Sequence, residues 1–200
     1  MITRRAALAL AAVVALAGCS DGDSAPRATV SVPVPTLPAG ELSPRVLQPG
    51  DVSRNLVPIA AQTGTRDLKA IAAFSADPPK AEKSLQEHGF QSAYVVQYAD
   101  PQNAAVVTNV VTKFATAAGA TADLAADLTA SGATGETFSV TGLGEQAGGV
   151  RGRLEPSLPV GTLITLRWRV GDTTWLLAVG SKKQVDEGSV RRLADKLTGR

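Results

Sequence analysis

Chemically versatile residues are scarce in this chain of 200 residues: it has one cysteine, one histidine and only 4% aromatics. A lone Cys19 cannot close an intramolecular disulfide, and with His88 as the only imidazole, zinc sites and nucleophile–histidine pairs are nearly excluded. No serine stands in a nucleophile-elbow context. No cofactor and no metal is therefore expected, and an envelope hydrolase stays only a minor alternative. Charge is nearly balanced, with Lys+Arg 20 against Asp+Glu 18, a formal net charge of +2. Removing Arg4 and Arg5 with a leader brings this to about zero, so nothing argues for nucleic acid. The apolar run from Ala6 to Ala17 falls far short of the ~30 Å needed for a permanent membrane span.

That run has another use. Arg4 and Arg5 give a positive start, Ala6 to Ala17 an apolar middle, and Leu16-Ala17-Gly18 a small-residue end. Together they make a signal peptide over residues 1–18. The stretch Leu16-Ala17-Gly18-Cys19 resembles the lipobox of bacterial lipoproteins. The resemblance implies a diacylglyceryl group on the Cys19 sulfur, cleavage after Gly18 and a mature chain beginning at Cys19, anchored to the outer face of the cell membrane. Each buried CH₂ of such a lipid contributes ~0.8 kcal/mol, and two chains make a stable anchor. The Arg4-Arg5 pair also resembles a twin-arginine export signal, although Ala7 stands where that signal has a strong hydrophobe.

From Ser20 the chain is polar and spaced by prolines (Pro26, Pro33, Pro35, Pro38), which favours extended backbone. Residues 19–44 are read as a tether and 45–200 as one domain. Within the domain, Asp51 is placed to cap a short helix through Leu56, and Asp77 with Pro78 starts a clear helix that Gly89 stops. His88 is read as its polar end. Strands are expected over Gln91–Tyr98 and Ala105–Phe114 around the turn Asp100-Pro101-Gln102-Asn103. Valines on both faces of the second strand indicate a covered sheet. A helix over about Thr116–Ala130 points Leu124 and Leu128 inward, with Asp123 and Asp127 on an exposed face. Short strands at Thr137–Thr141 and around Val150–Leu154 follow. Gly142-Leu143-Gly144-Glu145-Gln146-Ala147 formally matches a dinucleotide fingerprint, but a strand rather than a helix follows it, so it is read as a connection.

The strongest local signal lies near the C-terminus. A two-residue turn at Gly171-Asp172 pairs Trp168 with Trp175, Leu166 with Leu177 and Ile164 with Val179 on one face of a central hairpin. Arg167 and Arg169 fall on its other face. Arg151 and Arg153 share a face of the preceding strand, so the four arginines form a candidate patch for an anionic lipid headgroup, a cell-wall polymer or an acidic partner. A closing helix over about Asp186–Leu197 has Val190, Leu193, Ala194 and Leu197 as its inner stripe. The expected fold class is α+β, a mainly antiparallel sheet of about five to six strands with helices packed on it.

Phe114-Ala115-Thr116-Ala117-Ala118-Gly119-Ala120, the segment Val140 to Ala147, and Trp168-Arg169-Val170-Gly171-Asp172 before a final helix are similar to parts of actinobacterial envelope lipoproteins. Those include PsbP-like lipoproteins and the extracellular sensor domains of some mycobacterial kinases. The resemblance implies a non-catalytic extracytoplasmic domain for binding, accessory or sensor work, and supplies no site residues. A carrier of lipid or another hydrophobic ligand is the alternative, which requires a cavity.

Overall fold

In the computed structural model, residues 35–102, 104–132, 135–152 and 161–199 are described. The lipobox with Gly18 and Cys19, and also Arg153, lie outside them. Among the described residues, eight strands make one antiparallel sheet: β1 (Val57–Pro58), β2 (Gly64–Arg66), β3 (Phe90–Ala99), β4 (Ala105–Phe114), β5 (Glu136–Ser139), β6 (Gln146–Gly152), β7 (Thr162–Val170) and β8 (Thr173–Ser181). Their order is β1-β3-β4-β8-β7-β6-β5, with β2 also pairing β3. The helices are α1 (Leu68–Ala72), α2 (Pro78–Glu87), α3 (Ala117–Gly132) and α4 (Glu187–Thr198). The α+β antiparallel architecture matches the expectation. The strand number is larger because the short pieces β1 and β2, too brief to show a period of two, both dock on β3.

The C-terminal hairpin takes the register that its two-residue turn dictates. Gly171 supplies a positive φ of 59° at the turn. Trp168 faces Trp175, Leu166 faces Leu177 and Ile164 faces Val179. The two indoles stack 5.9 Å apart between ring centroids. Through β8 and β7 this hairpin forms the middle of the sheet. Helix starts follow the sequence too: the side chains of Asp77 and Asp186 accept from Lys80 N and Ser189 N, as N-caps do.

Each sheet face has its own cover. The tryptophan face carries Tyr94, Val96, Tyr98, Val107, Val111 and Leu177, all buried, and packs against Val190, Ala194 and Leu197 of α4. The same face is crossed by the segment Leu37 to Leu56, whose Leu42, Val46 and Leu47 are fully buried. Packing against the sheet begins at Leu37. The helix expected from Asp51 to Leu56 is corrected: it is a run of turns and bends. The segment is a strap held by hydrogen bonds from buried side chains to its backbone. Tyr94 Oη donates to Pro38 O (2.6 Å), Tyr98 Oη to Leu47 O (2.7 Å) and Trp175 Nε1 to Arg45 O (3.2 Å). Asn109, wholly buried in β4, accepts from Leu47 N and donates to Leu176 O. The opposite face lies under α1, α2 and α3.

Candidate functional site

The helical side of the sheet is built from short side chains. Its floor is Val110 and Thr112 of β4, Thr174 and Leu176 of β8, and Arg167 of β7. Its cover is alanine-rich, with Ala72, Ala81, Ala126 and Ala130 among its lining. Short side chains on both layers leave a gap, a cleft of about 400 Å³ open to solvent on one side. Such a volume lies within the ~300–1,000 Å³ of small-molecule sites. Phe74, in the α1–α2 connection, stands 59% exposed at its edge, and Ile71 and Leu85 complete the apolar wall. Among the described residues α2 buries none, so this wall is held loosely.

The polar end of the cleft comes from one stripe of α3. Gly119, Asp123 and Asp127 are spaced at i, i+4 and i+8 and share a face. Thr116 Oγ1 caps the helix by accepting from Gly119 N (3.1 Å). Gly119 lets the end of α2 dock: a Cβ there would lie 2.0 Å from the His88 carbonyl oxygen. Ala115 N also donates to Gly89 O (2.8 Å). This docking puts His88 Nδ1 3.7 Å from Asp123 Oδ1, too far for a hydrogen bond, and that nitrogen is buried without a partner. One turn on, Arg167 from β7 ion-pairs with Asp127, while its Nε is buried and unpartnered.

The two carboxyls differ in setting. Asp123 has only 14% of its side chain exposed. Burial, reinforced by the Asp127 charge and opposed by Arg167, pushes its pKa up to about 7. Burial also raises Asp127, against the opposing Arg167 and His88, but its side chain keeps 49% exposure and it has the guanidinium as partner. Asp123 is thus the under-partnered acceptor at this end.

The expectation of an exposed face is corrected for Asp123, which is buried in the cleft lining; Asp127 lines the cleft too but keeps half its side chain exposed. α3 is alanine on nearly every side, so Leu124 and Leu128 mark the inward direction only loosely. The available signal was the Gly119-Asp123-Asp127 spacing, with a glycine where another backbone approaches. His88 does end α2, as expected, and its ring is turned toward Asp123.

Among the described arginines, Arg151 is set apart from Arg167 and Arg169. Arg151 pairs in register with Ile164, which puts it on the tryptophan face, whereas Gly148 faces Arg167 and Gln146 faces Arg169. Arg151 stands over the Phe138 ring at 4.4 Å and bonds Glu187 (2.5 Å) and Glu136 (3.3 Å). Arg169 pairs with Glu145 at 2.6 Å, and Gly171 N holds that carboxylate from the other side, keeping Glu145 below the usual carboxylate range. Each described member of the four-arginine patch therefore has an acidic partner. Among the described residues no three ligating side chains converge to hold a metal, and no helix is long and apolar enough to cross a membrane.

The chain matches no protein-family model and no curated protein sequence. Its fold is similar to that of the extracellular domain of PknH from Mycobacterium tuberculosis, with a TM-score of 0.51 and 14% identity, covering 82% of this chain and 99% of that one. At this identity the likeness concerns the fold alone.

Proposed function

We propose that this chain is a lipid-anchored extracytoplasmic domain that captures a small ligand in the cleft between its sheet and α1–α3, serving as a non-catalytic binding or sensor unit. The observation that carries the reading is the cleft itself, a gap of about 400 Å³ with a largely apolar lining and the charged side chains Asp123, Asp127 and Arg167. The lipobox-like Leu16-Ala17-Gly18-Cys19 supports the anchor, and the fold shared with an extracellular domain is in keeping with the compartment. The open side favours a binding domain over a carrier that encloses its cargo. Asp123 and Asp127 sit one turn apart on one helix with Asp127 engaged by Arg167, unlike two free carboxylates flanking a glycosidic bond.

Two measurements test this. Native purification from membranes, followed by mass spectrometry of released small molecules, should yield a ligand that is lost in Ala126→Trp, which fills the cleft from α3. Retention of the same molecules in that variant would sink the binding site. For the anchor, Cys19→Ala should release the protein to the medium or leave it unprocessed. A variant still cleaved after Gly18 and still in the detergent-soluble membrane fraction would sink the lipid.

A further inference from the structure

The cleft has one polar end, and the charges there are unequally matched. Arg167 is engaged by Asp127. Asp123 has only His88 beside it, at 3.7 Å and without a hydrogen bond. The groups around Asp123 are Asp127 on its own helix, His88 from the end of α2 and Arg167 from β7. The floor strands β4 and β8 bring Thr112 and Thr174, which carry no charge. With Asp123 ionised, the two carboxylates outnumber the guanidinium. A buried carboxylate without a partner is costly, and an incoming cation that donates hydrogen bonds removes that cost. A carboxylate head would instead meet two acids and would have to take Arg167 from Asp127. The remaining wall carries Phe74, Leu85, Val110 and Leu176, with the uncharged Ser75, Ser84 and Ser131 among them.

We propose that the cleft selects amphiphiles with a positively charged, hydrogen-bond-donating head, the simplest being primary alkylamines, with the ammonium on Asp123 and the chain along Phe74, Leu85 and Leu176. This rests on the cleft being a binding site. Because burial keeps Asp123 protonated until about neutral pH, amine binding displaces its proton and tightens as pH rises toward that range.

The test compares decylamine, decanol and decanoate by calorimetric titration of the mature polypeptide from Ser20 to Arg200 made without its lipid, which retains the whole packed segment from Leu37 onward. At pH 7.5, decylamine should bind at least tenfold tighter than either analogue, and its affinity should fall about tenfold between pH 8 and pH 6. Asp123→Asn, which keeps the side-chain volume, should unfold at a temperature no lower than the parent and bind decylamine no better than decanol, with no pH dependence. Asp123→Asn combined with Asp127→Asn leaves Arg167 as the cleft's carboxylate-binding group and should invert the preference to decanoate. Decanol or decanoate binding as tightly as decylamine in the parent, or an amine preference that survives Asp123→Asn, would overturn the head-group assignment while leaving the cleft as a site. Failure of all three probes to bind would also overturn it. In that case the Ala126→Trp co-purification result decides separately whether the cleft binds anything.

Discussion

Asp123 links the chemistry of the cleft to stability. Its folded pKa of about 7 lies above the ordinary aspartate value of 3.8, so the folded state holds the proton more tightly than the unfolded chain. The stabilising contribution is complete below about pH 4 and is lost as pH rises through about 7. Asp123→Asn should therefore leave stability nearly unchanged at pH 4 and raise it by about 1–3 kcal/mol at pH 8. Urea denaturation at the two pH values checks this, and an equal effect at both would show that burial does not perturb the carboxyl. Asn109 illustrates the opposite economy. It is wholly buried, yet both ends of its amide are satisfied, by Leu47 N and Leu176 O, so a polar residue in the middle of β4 joins the strap to the sheet.

At the scale of elements, the junction of α2 with α3 sets the polar end of the cleft. The carbonyl of His88 rests on Gly119, and this contact aims the His88 ring at Asp123. Gly119→Ala should cost about 1–3 kcal/mol, since the added methyl meets backbone that cannot give way. It should also raise solvent exposure at Asp123, visible as a carboxyl titration moved back toward the ordinary range. A neutral substitution would mean that the junction is slack. The hairpin of β7 and β8 was legible because turn and pattern agree: only one register buries both tryptophans. The pairing of β6 with β7 has no comparable turn residues to set it. There the side of Arg151 is decided by pairing with Ile164, and a slip of one residue would reverse its face. The face shared by Asp123 and Asp127 was illegible for another reason, since alanine on nearly every side of α3 leaves the helix without a clear polar face.

For the whole molecule, the strap is the decisive feature. Its prolines and small residues have the composition of a linker, but Leu42, Val46 and Leu47 cover the tryptophan face, and the Leu47 backbone accepts from Tyr98 Oη and donates to Asn109 Oδ1. Burying three such side chains contributes roughly 5–9 kcal/mol at about 1.5–3 kcal/mol each. That is comparable with the entire ~5–15 kcal/mol stability of a typical domain. A chain starting at Thr36 should keep a cooperative unfolding transition, whereas one starting at Pro49 should lose it and expose the indoles. Tryptophan fluorescence during denaturation distinguishes the two, and an unchanged transition in the shorter chain would relegate the strap to a surface tail.

Local chemistry, readable without the fold, determined the signal-peptide and lipobox pattern, the aspartate caps, the two long hairpins and the α+β class. Each depends on residues close in sequence, on a turn, a cap or a period of two or 3.6. Tertiary structure alone decided that the linker-like strap belongs to the core, that Arg151 stands apart from Arg167 and Arg169, and that Asp123 faces a cleft. These depend on which layer meets which, and that is set by the volume of side chains far apart in the chain. Where alanines of α1–α3 lie over threonines and valine of β4 and β8, the layers do not close, and the space they leave is the cleft proposed as the binding site.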